Sequence, residues 1–75
     1  MARTRIGSRM RQRLVLLSEG DRTISQLCLW GEGVMEAGRS LLKMRDRGLV
    51  REQMIERRYV WSITDDGRRV IGGNA

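Results

Sequence analysis

"AGRSLLKMRDRGLVRE", residues 37–52, begins on a helical rhythm and ends on a strand-like one. Placing residues every ~100° about a helix axis, from Val34 onward, brings Val34, Ala37, Leu41, Met44 and Gly48 within about 80° on one side. Gly38 and Leu42 widen that stripe, and Glu36, Arg39, Ser40, Lys43, Asp46 and Arg47 take the opposite arc. Arg45 falls on the apolar side, where its stem can lie over a core while its head reaches water. Gly48 stands where a left-handed residue closes a helix. The segment therefore predicts a helix over 34–47 with an apolar back and a basic outer face.

After Gly48 the period drops to two. Leu49 and Val50 lead into "REQMIERRYVWSIT", where Tyr59, Trp61 and Ile63 alternate with Arg58, Val60 and Ser62. Two strands, 49–53 and 58–63, are expected to pair as a hairpin. The turn carries no Gly, Asn or Asp, the residues that favour a tight reversal, and Met54 or Ile55 falls near its tip. Thr64 with Asp65 and Asp66 can cap a last short helix through Val70 and Ile71.

Upstream, Ser8 is the expected N-cap of a first helix over 9–19, with Met10, Leu14 and Leu17 at helical spacing and Gly20 as its stop. Thr23 with Gln26 forms a capping box for a short second helix bearing Ile24, Leu27 and Cys28 on one face. Gly31 and Gly33 bracket Glu32 in a turn, since both can take positive φ at little cost. The organisation reads as a basic arm over 1–7, one domain over 8–72 and a frayed end over 73–75.

Seventy-five residues suit a single small core. Hydrophobic residues at 40% and charged ones at 32% are too apolar a mix for a disordered chain. One cysteine and no histidine exclude a disulfide framework and a Cys/His zinc site within one chain. Cys28 reads as a small buried hydrophobe, and a reducing, cytoplasmic setting is expected. The longest apolar run, Leu14 to Leu17, is far too short for a membrane span. The net charge of +6 is concentrated in residues 1–18, which hold five arginines and no acid, with a smaller excess in the hairpin. That pattern suits a polyanion or an acidic partner. Catalysis is not expected: there is no histidine, no nucleophile elbow and no phosphate loop. "GEGVMEAG" lacks the lysine and the preceding strand that a phosphate loop needs. No cofactor or metal is expected either.

The motif "LLKMRDRGLVRE" followed by "YVWSITDDGRRVI" resembles the "L..L...GLV" and "W.LT..G" signatures of MarR-type and related bacterial and phage regulators, members of the winged helix-turn-helix family. Leu41, Met44, Gly48, Leu49 and Val50 match the first, and Trp61, Ile63, Thr64 and Gly67 the second. The resemblance implies an α+β fold, a winged helix-turn-helix with a three-helix core, a two-stranded β-hairpin wing and a short C-terminal helix. The turn before the third helix is shorter and richer in glycine than is usual, and there is no room here for the long flanking helices through which MarR-type regulators dimerise. Dimerisation and ligand sensing are therefore not carried over. A monomer or weak homodimer is expected.

By the same resemblance the 34–47 helix is the recognition helix and the 51–60 hairpin its wing, binding double-stranded DNA in a sequence-specific way as a small transcriptional regulator or phage or mobile-element accessory factor. Arg39 is the candidate for a bidentate guanine contact, Ser40 for a base edge or phosphate, and Met35 for a thymine methyl. Lys43 and Arg47 suit phosphates, as do Arg57 and Arg58 on the wing, which also discourage edge-to-edge pairing. Arg3 and Arg5 could enter a minor groove as flexible arms do. Glu36 could accept from cytosine, or pair with Arg39 or Ser40, the pairing being favoured. Trp61 is expected in the core, and Trp30 divides between core lid and partner contact. The alternative function is a protein-interaction module that meets an acidic or apolar partner through Trp30, Met54 and Ile55.

Overall fold

The computed structural model describes residues 6–72. Among them it forms a small α+β domain of four helices and one antiparallel hairpin: α1 (Ser8–Ser18), α2 (Ile24–Leu27), α3 (Val34–Asp46), β1 (Val50–Ile55), β2 (Arg58–Ile63) and α4 (Asp65–Gly72). The order and kind of all six elements follow the period changes in the sequence. Boundaries move by one or two residues, as frayed ends do.

Side-chain chemistry explains where α2 and α4 start. Thr23 Oγ1 accepts from the Gln26 amide while the Gln26 side chain accepts from Thr23 N, the expected capping box. At α1 the expectation fails: Gly7, not Ser8, is the N-cap, and no side chain caps it. Thr64 Oγ1 accepts from Gly67 N at 3.1 Å and donates to Gly48 O at 2.6 Å, so one hydroxyl starts α4 and ties it to the end of α3. Gly48, at φ +76°, takes the left-handed closing position.

The core is Leu14 and Leu17 of α1, Leu27 of α2, Leu41 and Met44 of α3, then Leu49, Val50 and Trp61. Each is at most 4% exposed, so burial rather than helix propensity holds this short chain together. Trp61 lies inside as expected. Val34 and Leu42 do not: they are 53% and 44% exposed, and the buried back of α3 is the narrower set Ala37, Leu41 and Met44. Arg22 and Trp61 exchange backbone hydrogen bonds at 3.1 and 2.8 Å, which fastens the α1–α2 connection to the hairpin as an isolated bridge.

The hairpin is longer than its alternation suggested. β1 runs on to Ile55, and register pairs Val50 with Ile63 and Ile55 with Arg58. A two-residue turn, Glu56–Arg57, is left between them. Both residues have positive φ, 49° and 68°, the primed geometry that matches strand twist. Neither is a residue type that enters that region freely, at a cost of about 1–2 kcal/mol each. Replacing Glu56→Asn with Arg57→Gly is therefore expected to stabilise the fold by about 1 kcal/mol, raising the thermal midpoint by roughly 4–8 °C. A midpoint that stays level or falls in differential scanning calorimetry would contradict the assigned turn.

Candidate nucleic-acid interface

Only one face of α3 packs on the body; the rest meets solvent. Ala37, Leu41 and Met44 are wholly buried, while Met35 is 73% exposed and Glu36, Arg39, Lys43 and Arg47 are also outward. Glu36 does not pair with Arg39: its Oε1 accepts from Gly33 N at 3.1 Å and caps its own helix. Arg45 is only half solvated, and its guanidinium reaches Glu52 at 3.3 Å, a bond between α3 and β1. Among the described residues, no acid or carbonyl of the protein engages Arg39 or Lys43.

Ser40 lies differently from its neighbours. It is half-buried, and its hydroxyl accepts from Arg13 Nη1 at 2.9 Å and faces Met44 Sδ at 3.9 Å.

Beneath the outward face lies an ionic cluster that joins α1 to the α2–α3 turn. Arg13 on α1 is entirely buried and Glu32 is 4% exposed at its side chain, and the two are directly paired. Arg13 Nε also donates to Leu27 O at 3.2 Å. Glu32 Oε1 accepts from Leu29 N at 3.0 Å, and its Oε2 from Arg9 Nη1 at 3.2 Å. Burial alone would push the Glu32 carboxyl up; the Leu29 amide together with the Arg13 and Arg9 guanidiniums outweighs it and holds the carboxyl below its ordinary value. A signal was present. Arg13 follows Met10 by three residues and precedes Leu14 and Leu17, squarely on the apolar stripe of α1, where a charge must find a partner.

The cluster floors a hollow of about 360 Å³ between α1 and α3, with Gly7, Arg9, Glu36, Arg39, Ser40 and Lys43 around it. Thus Arg39 and Lys43 of α3 are gathered on one hollow with Arg9 of α1. Arg57 and Arg58 stand apart, at the exposed hairpin tip with Met54 and Ile55, themselves 56% and 43% exposed. Arg3 and Arg5 lie outside the described residues. Trp30 is no core lid. It occupies the corner of a turn in which Glu32 N bonds Leu29 O at 3.0 Å and Gly31 has φ +84°, and it is 96% exposed.

Among the described residues no group of three or more His, Cys, Asp or Glu side chains could hold a metal ion. No helix there is long and apolar enough to cross a membrane. No protein-family model, curated protein or solved structure matches the chain.

Proposed function

We propose that this domain is a winged helix-turn-helix that binds double-stranded DNA sequence-specifically, with α3 in the major groove and the β1–β2 hairpin as its wing. One observation carries the reading: α3 has a fully buried apolar back and presents Arg39 and Lys43 outward without partners among the described residues. A helix that reads base edges needs that combination, a rigid seat behind and uncompensated donors in front. Arg39 offers a guanidinium fork for guanine O6 and N7. Met35, near the N-terminus of α3, offers an apolar end for a thymine methyl. Lys43 and Arg47 suit phosphates, as do Arg57 and Arg58 at the tip of the wing. The biological role that fits is a small transcriptional regulator or accessory factor of bacterial or phage type, acting in the cytoplasm without cofactor or catalysis.

The test is selection from random duplexes at near-physiological salt, followed by titrations. Arg39→Ala is expected to relax preference at one base position at a cost of about 1–3 kcal/mol, whereas Lys43→Ala weakens all duplexes alike. The log–log salt slope should fall by about 0.9 for each phosphate no longer neutralised. A chain that enriches no motif and shows no salt-dependent affinity for any duplex would end this reading.

A second reading is a protein-interaction module, favoured by the almost complete exposure of Trp30 and by Met54 and Ile55 at the hairpin tip. A complex resting on those apolar groups would be nearly indifferent to salt and would fail on Ile55→Asp.

A further inference from the structure

The buried ion pair is the least expected feature of this fold. A fully buried arginine must offset a large desolvation cost, and apolar residues of similar volume commonly serve a core as well or better. What sets this pair apart is what its atoms reach. Arg13 starts on α1, donates to the last carbonyl of α2 at Leu27, and donates to Ser40 on α3. Glu32 holds the amide that opens the α2–α3 turn and is gripped from α1 by Arg13 and Arg9. Among the described residues no buried side-chain nitrogen or oxygen lacks a partner. All three helices and the turn meet at this one cluster.

We propose that the Arg13–Glu32 pair is an orientation clamp that sets the rotation of α3 about its own axis and its angle to α1. The apolar contacts of Ala37, Leu41 and Met44 define which side of α3 is buried, but packing of this kind tolerates some slippage. The hydrogen bond to Ser40 does not, because it works over a few tenths of an ångström and a narrow angle. Ser40 stands one residue after Arg39 and three before Lys43. Holding its hydroxyl thus holds the directions of both outward cations. Arg13 and Ser40 are positioning residues here, and Glu32 is the counter-charge that keeps the guanidinium fork in place.

The consequence for binding rests on the DNA reading above; the clamp itself does not. The decisive variant is Arg13→Met with Glu32→Gln, which removes both charges yet leaves an acceptor for the Leu29 amide. Two readouts are needed. Residual dipolar couplings of backbone amides, measured without DNA, should no longer fit α1 and α3 to the wild-type mutual orientation. Discrimination between a selected duplex and a scrambled one should fall about tenfold or more, the scale of a single bidentate base pairing, while the salt slope stays within one of wild type because the phosphate cations remain. A merely structural pair would change the melting temperature and neither of these. Couplings that still fit the wild-type orientation overturn the proposal, whatever the DNA data. Should the wild-type chain bind no duplex, the DNA reading fails and the couplings decide the clamp alone. Should the double variant not fold, Ser40→Ala, which leaves the ion pair intact and removes only its grip on α3, is judged by the same couplings.

Discussion

Gly67→Ala is expected to cost about 3 kcal/mol and to lower the thermal midpoint by roughly 10–20 °C, far beyond the effect of an ordinary Gly→Ala change in a helix. In most exposed helix interiors alanine is the better residue by about 0.8–1.0 kcal/mol. Here a Cβ would run into the carbonyl oxygen of Leu49 and stand 2.8 Å from Ile63 Cγ1. Backbone cannot rotate aside as a flexible side chain does. The same carbonyl also accepts from Thr64 N at 3.1 Å, so moving α4 away would loosen the connection that starts it. Thermal unfolding followed by circular dichroism checks this. A variant as stable as wild type would mean that α4 does not sit so closely on the segment after Gly48. The close approach also gives a physical reason for the glycine in "WSITDDG".

Glu32→Ala should be the more damaging change, at about 3–5 kcal/mol, because it strands the buried Arg13 guanidinium without its counter-charge. A 75-residue domain has roughly 4–11 kcal/mol in all, so this single substitution can remove most of it. Urea titration reads the loss directly. The pH dependence follows from the same group. Its carboxyl is held below the ordinary value of 4.5 in the folded state. The unfolded chain therefore takes up the proton first as pH falls, and the folded chain resists it. The stability that the pair supplies is fully present above that ordinary value and is lost progressively as pH drops toward and through the folded one. The stability gap between wild type and Glu32→Gln should accordingly stay constant near neutral pH and narrow below about pH 4.5. A gap that widens on acidification would reverse the assigned sign.

Arg13 marks the limit of what periodicity can say. An arginine at a stripe position can be a snorkelling side chain or a buried one, and sequence spacing is the same for both. Deciding between them needs Glu32, from a turn nineteen residues away, to arrive within bonding reach, and that depends on how α1, α2 and α3 pack. Glu36 departs from its expected pairing, and Ser40 gains a partner that its place on the helix did not announce, for a related reason. A helix wheel gives the direction of each Cβ but not the partner at the end of the side chain, so Glu36 turns back to cap Gly33 and Ser40 turns in to Arg13.

Local chemistry was enough for the order and type of the elements. The switch from a 3.6-residue to a two-residue period at Gly48, the Thr23–Gln26 box and the Thr64 cap depend on residues within one turn of each other, so the order and type of the elements could be read without knowing any long-range contact. The hairpin tip could not be, because Glu56 and Arg57 have no intrinsic taste for positive φ and take it only where the pairing of Ile55 with Arg58 compels them. Which polar groups on α3 stay available, and which are bound inside the protein, was likewise settled only when helices distant in sequence came together. Backbone conformation answers mainly to neighbours along the chain; the fate of a charge answers to whatever folding brings beside it.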